Sequence, residues 1–133
     1  MLTVGVTGTA VSTMTFVAPD DAPLDRAALV FSALPHGISR TWVEAARSAG
    51  AKVVDLSADL RPGSGESALG AVPYGLTELE RDAVRDADVV ANPGCYPTAV
   101  LLALLPLLAR GLIAPGGCVS VAAASGVTGA GFT

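Results

Sequence analysis

The chain has 133 residues, of which 51% are hydrophobic and 15% charged, so it can bury a core and is not expected to be disordered. Its net charge of −4 comes without a basic cluster, which argues against a nucleic-acid partner, while a small anionic substrate stays compatible through helix N-termini. Aromatic residues make up only 5%, so Ala, Val and Leu must fill the core, as they do around buried parallel strands.

The start, "MLTVGVTGTA", lacks the positive region of a signal peptide. "TVGVTGT" offers a strand followed by glycine, but "AVSTMTFVAPDD" then reads as a second strand or an irregular stretch. A phosphate-gripping first turn needs a glycine-rich loop that opens a helix, and residues 1–27 do not supply one. Four short apolar runs then read as buried strands covered on both faces: Ala28–Leu34, Ala51–Ser57, Ala87–Ala91 and Cys118–Ser125. Helices are expected between them. "SRTWVEAARSAG" puts Trp42, Val43, Ala46 and Ala49 on one face and stops at Gly50. "RPGSGESALGAVPY", Arg61 to Tyr74, reads as an exposed loop. "TELERDAVRDA" has Thr77 three residues before Glu80, the spacing of a capping box. "YPTAVLLALLPLLARGL" is the longest helical run, with Pro97 in a first turn and Pro106 set to bend or end it. Its apolar core, Ala99–Ala109, is too short to span a bilayer, so no membrane association is expected. This order predicts an α/β domain with a mostly parallel sheet and flanking helices.

Two cysteines make neither a disulfide framework nor a four-ligand zinc site, so no metal is expected and a reducing cytoplasm is. Cys95 lies in "NPGCYPTA", where a strand ends, Asn92-Pro93-Gly94 turns, and a helix begins. A thiol at a helix N-terminus faces unpaired N–H groups that favour the anionic sulfur and could hold an oxyanion. The alternative is a small buried apolar residue, and position alone does not choose. His36, the only histidine, sits in "LPHG" past a strand end, as a base, a substrate contact or a loop histidine bonded to backbone. "SGVTGAG", Ser125 to Gly131, could bring backbone N–H groups to a phosphate or nicotinamide, or be an ordinary turn. In "VVDLSADLR", Asp55, Asp59 and Arg61 are read as a local Asp–Arg pair that fixes a loop. Tyr74 either reaches a site or packs.

The segments "FSALPHGIS", "VVDLSADLR", "PYGLTEL", "ANPGCYPTAVLLALLPLL" and "AASGVTGAG" occur in an order that resembles the N-acetyl-gamma-glutamyl-phosphate reductases of arginine biosynthesis. The related aspartate-semialdehyde dehydrogenases also carry a cysteine after Asn-Pro, but the Gly-Cys-Tyr-Pro wording favours the former. The resemblance implies an NADP-dependent oxidoreductase with a Rossmann-like sheet. In it Cys95 would attack the acyl phosphate, expel phosphate and form a thioester that NADPH reduces to N-acetylglutamate 5-semialdehyde. It also implies that Leu34, Pro35, Gly37, Ser125, Gly126 and Gly129 bind the cofactor, and that Asn92 and Tyr96 lie on the substrate side. His36 then belongs to the cofactor loop and is not the general base. The full-length family is expected to form homo-oligomers around a small acyl-phosphate substrate. Against that pattern, residues 1–133 read as a single partial NAD(P)-binding domain with a divergent segment at 1–27. The first dinucleotide-binding unit, the substrate domain and its histidine are expected to be missing. Little turnover is therefore expected of this chain alone, and a non-catalytic fragment or interaction module is the competing reading.

Overall fold

The structure, a computed structural model, describes residues 16–65 and 67–126. The expected strand in "TVGVTGT" and the glycine Gly129 lie outside the described residues. Contacts divide the chain into two compact units, Met1–Gly94 and Cys95–Thr133, where the sequence reading carries one domain through 1–133. The apolar run after Gly94 forms a helix with no buried residue.

The first unit opens with single-turn 3-10 helices at Pro19–Asp21 and Leu24–Arg26, and the irregular reading of this stretch holds in its described part. The sheet follows: β1 (Leu29–Ser32), α1 (Ser39–Ser48), β2 (Lys52–Asp55), α2 (Thr77–Asp86) and β3 (Val89–Ala91). The strands lie in the order β1-β2-β3 and are all parallel, with Val30 opposite Val53 and Val53 opposite Val89. Each crossover steps the same way, as short βαβ units do. Alternate residues turn inward. Val30, Val53, Val89 and Ala91 are buried with Val43 and Ala46 of α1, which packs on β1 and β2.

The other sheet face is more open than two-sided burial predicts, because Leu29 and Phe31 stay 40% and 51% exposed. The face of α1 is also shifted from expectation. Ser39, Val43 and Ala46 are buried, at the i, i+4, i+7 spacing, while Trp42 is half-buried and Ala49 is exposed at the C-cap.

Three local expectations fail for physical reasons. The Thr77–Glu80 capping box does not form: the N-cap residue is Leu76, Thr77 already lies inside α2, and Glu80 has non-helical dihedrals (φ −129°, ψ 39°). Thr77 Oγ1 donates to Glu78 instead, at 3.2 Å. The loop from Arg61 to Tyr74 is not simply exposed, since Leu69 and Val72 pack against the core and Tyr74 bridges β3 at Ala91. Cys118–Ser125 forms no strand. A strand exists only by pairing, and these residues are exposed throughout with no ladder partner among the described residues.

In the second unit, α3 spans Cys95–Ala109 and contains Pro106. It ends in a Schellman motif: Gly111 N donates to Leu108 O (3.0 Å) and Leu112 N to Leu107 O (2.9 Å). Gly111 sits at φ +66°, where a Cβ would strain the backbone. No helix among the described residues is long and apolar enough to cross a membrane.

Candidate functional site

The carboxyl ends of the strands bring Ser32, Asp55 and Ala91 into register. Open α/β sheets bind ligands at this edge. Asp55 is fully buried, yet its carboxylate is well supplied. Oδ1 accepts Ser39 Oγ (2.6 Å) and Ser57 N (3.0 Å), and Oδ2 accepts Ser57 Oγ (2.8 Å). Ser32 Oγ lies 2.6 Å from Ser39 Oγ. Three elements, β1, α1 and β2, therefore meet in one polar row. No buried side-chain polar atom among the described residues lacks a partner.

Asp59 ties the next layer. Its carboxylate accepts Gly37 N (2.7 Å), two residues before α1, and Arg40 N (3.2 Å), an orphan donor of its first turn. The Arg40 guanidinium donates back to the Asp59 carbonyl and, at 3.3 Å, to Ser64 O. His36 accepts Ala58 N at Nδ1 (2.9 Å), so the histidine is bonded to backbone. Arg61 does not pair with an aspartate. It donates through Nε to Asn92 O (2.9 Å) and through Nη2 to Leu56 O (3.0 Å). A guanidinium fork suits two carbonyls as well as a carboxylate, and the expected Asp–Arg pair gives way to that arrangement. A cavity of about 160 Å³ lies between Arg40, Arg61 and the loop through Gly70, too small for a whole cofactor.

The structure places the residues singled out from sequence in two groups. Leu34 (half-buried), Pro35, His36 and Gly37 form one loop at the end of β1, held against Ala58 and Asp59. Asn92 follows β3, its N–H on Asp55 O (2.8 Å) and its own Nδ2 on Pro93 O (3.1 Å). Cys95 and Tyr96 are the first two residues of α3, both exposed. The thiol is thus carried by the first residue of a helix. Ser125 and Gly126 belong to the second unit, are exposed, and meet in a weak Ser125 Oγ to Gly126 O contact of 3.4 Å. Among the described residues no group of three or more His, Cys, Asp or Glu could hold a metal ion.

Sequence reasoning missed the Asp55 row and the Asp59 cap. Ser39 at the start of the buried α1 face was the available signal for the first. The cap comes from a residue 19 positions beyond Arg40, and no local pattern announces it.

The loop Leu34–Gly37 can be tested for fit to a nicotinamide cofactor. The N–H groups of Gly37 and Arg40 are taken by a carboxylate, so the start of α1 does not offer itself to a phosphate. Leu34 and Pro35 instead leave apolar surface at the turn, and Gly37 has open space where a Cβ would stand, which leaves room for a flat ring.

Residues 4–87 match the family model described as semialdehyde dehydrogenase, NAD binding domain, a match that runs into the segment set apart at 1–27. Residues 95–133 match the model described as semialdehyde dehydrogenase, dimerisation domain, so the family models part close to where the structure does. The chain is similar to the N-acetyl-gamma-glutamyl-phosphate reductase of Desulforudis audaxviator, 49% identical over 121 residues, covering 81% of this chain and 35% of that protein. The protein of the same name from Marinobacter nauticus is 44% identical over 129 residues, with coverage of 87% and 37%. The chain therefore spans about a third of the length of these relatives. Among solved structures, aspartate semialdehyde dehydrogenase II of Vibrio cholerae, complexed with ASA, superposes with a TM-score of 0.56 at 22% identity. That match covers 68% of this chain and 28% of the other, and it supports the Rossmann-like fold. On the match over residues 4–87, which fills most of the first unit, the chain belongs to the semialdehyde dehydrogenase family and carries its NAD-binding domain.

Proposed function

We propose that this chain is part of an NADP-dependent reductase that converts N-acetyl-gamma-glutamyl phosphate to N-acetylglutamate 5-semialdehyde in arginine biosynthesis. The observation that carries the proposal is 40–49% identity to proteins of that name, together with a thiol on the first residue of α3. In this reading the Cys95 sulfur attacks the acyl carbon. An S–C bond forms, the C–O bond to phosphate breaks, phosphate leaves, and the acyl group is held as a thioester. The N–H groups at the start of α3 favour the negative charge that develops on sulfur and on the acyl oxygen. Asn92 and Tyr96 flank the thiol in sequence and are assigned to the substrate side. Leu34, Pro35 and Gly37 receive the nicotinamide end of the cofactor, with Ser125, Gly126 and Gly129 as its second contact. The cofactor, when bound, supplies the hydride that reduces the acyl carbon.

The dimerisation-domain match supports a homo-oligomer. Both cysteines are free and exposed, which supports a reducing, cytoplasmic setting. The test combines two measurements. Titration with NADPH, followed by fluorescence of the single tryptophan Trp42, should saturate. Iodoacetamide should modify Cys95 faster than the exposed Cys118 at neutral pH, and Cys95→Ser should abolish acyl-phosphate reduction. Equal rates for the two thiols would remove the case for a prepared nucleophile. Acyl-phosphate hydrolysis that needs Cys95 but no NADPH would make the protein a cysteine hydrolase.

A further inference from the structure

We infer that Asp55 is a positioning residue for the cofactor: through Ser39 and Ser32 it fixes the strand end that leads into the loop Leu34–Gly37, and through Ser57 and Asp59 the far end of that loop. The inference rests on the assignment of that loop to a nicotinamide cofactor.

Proton counting sets the direction of the network. Ser39 spends its one hydroxyl proton on Asp55 Oδ1, so Ser32 is the donor in the Ser32–Ser39 pair. Ser57 spends its proton on Asp55 Oδ2, which leaves its oxygen free to accept Asp59 N at 3.0 Å. Asp59 in turn accepts Gly37 N and Arg40 N. One continuous path runs from Ser32, two residues before Leu34, through Asp55 to Gly37 at the far end of the loop. Every link is 3.2 Å or shorter, and Ser32, Ser39, Asp55 and Ser57 are all buried.

Packing alone does not explain this arrangement. A buried carboxylate costs desolvation that an isosteric apolar side chain avoids, and an apolar residue would fill the same space between β1, α1 and β2. What the polar row adds is directional fixation, since each group in it has one satisfied geometry. A loop held at both ends presents Leu34 and Pro35 in one conformation and so loses little entropy when a ring docks.

The test uses Asp55→Asn, which keeps the side-chain shape, and Ser57→Ala, which cuts the path to Asp59 but leaves the carboxylate. Amide exchange is read at Gly37 and Arg40, with Val53 and Val54 of β2 as internal controls, and the NADPH Kd is measured on each protein. Both variants should lose protection at Gly37 and Arg40 while β2 stays protected. The Kd should rise about tenfold in Asp55→Asn and about three- to tenfold in Ser57→Ala, with the double variant no worse than Asp55→Asn. If Asp55→Asn fails to fold, Ser57→Ala alone decides. Variants with intact β2 protection that bind NADPH within twofold of wild type overturn the inference and leave the cofactor assignment standing. A wild-type chain that does not bind NADPH overturns both.

Discussion

Gly75 offers the sharpest test of how the sheet edge is packed. It lies in the Pro73–Gly75 segment that runs beside β3, where Gly75 N donates to Ala91 O (2.8 Å) and Ala91 N donates to Pro73 O (3.1 Å). Its φ is not in the left-handed region, so Gly75→Ala would ordinarily stabilise by about 0.4–1 kcal/mol through a less flexible unfolded chain. A Cβ there, however, meets Val90 Cγ1 at 2.8 Å, Ala91 O at 3.2 Å and Pro93 Cδ at 3.3 Å. Val90 could yield by shifting. Ala91 O cannot move away without lengthening the hydrogen bond that Gly75 itself makes, and the Pro93 ring is stiff. Overpacking of this kind costs about 1–3 kcal/mol, so the clash outweighs the entropic gain and leaves a net loss of about 1.5 kcal/mol.

An unfolding entropy of about 2.1 cal/mol/K per residue gives about 0.28 kcal/mol/K for the chain, and the loss becomes a fall of about 5 °C in Tm. Thermal unfolding followed by circular dichroism reads it. Adding Val90→Ala removes the nearest atom, so Gly75→Ala should cost about 0.5–1 kcal/mol less in that background. A Tm that rises in Gly75→Ala refutes the reasoning outright, because the sign of the shift separates contact from chain entropy.

Three further outcomes are expected. Asp59→Ala should destabilise by about 1–2 kcal/mol in urea at unchanged m-value, because it strips the cap from the start of α1, and Asp59→Asn should cost less. Gly111→Ala should cost about 1 kcal/mol and weaken the end of α3, read as lost amide protection at Leu112. The Arg85 guanidinium beside Asp86 holds that exposed carboxyl below its usual range. The folded value is depressed, so the pair contributes stability above the unfolded pKa and loses it as pH falls through the folded one. Arg85→Gln should raise the Asp86 midpoint in an NMR titration, and high salt should shrink the difference between the two proteins.

Residues whose environment is set by their own neighbours in sequence were legible in advance. Val30, Val53 and Val89 declare buried strands because parallel strands need apolar runs, and Gly50 declares the end of α1. Features set by a remote partner were not legible. Cys118–Ser125 has the same apolar character as β1, yet it forms no strand, because pairing belongs to the pair. The cap of α1 comes from Asp59, and the partner of Arg61 is a carbonyl at Asn92. Thr77 and Glu80 have the spacing of a capping box, but Thr77 already lies inside α2 and Glu80 is non-helical, so the geometry that spacing assumes is absent.

Asp55 joins the two ends of the proposed chemistry within the first unit. Its side chain, through Ser57 and Asp59, holds the loop assigned to the cofactor ring. Its backbone carbonyl accepts Asn92 N, and Arg61 pins the Asn92 carbonyl from the other side. Asn92 is therefore anchored on both sides three positions before the thiol. A substitution that tilts β2 at Asp55 should disturb cofactor loop and Asn92 turn together, whereas Ser57→Ala should disturb the loop alone. Comparing Gly37 and Asn92 amide exchange in Asp55→Asn and Ser57→Ala separates these effects. Equal loss at Asn92 in both variants would show that the turn before Cys95 depends on the loop and not on the strand.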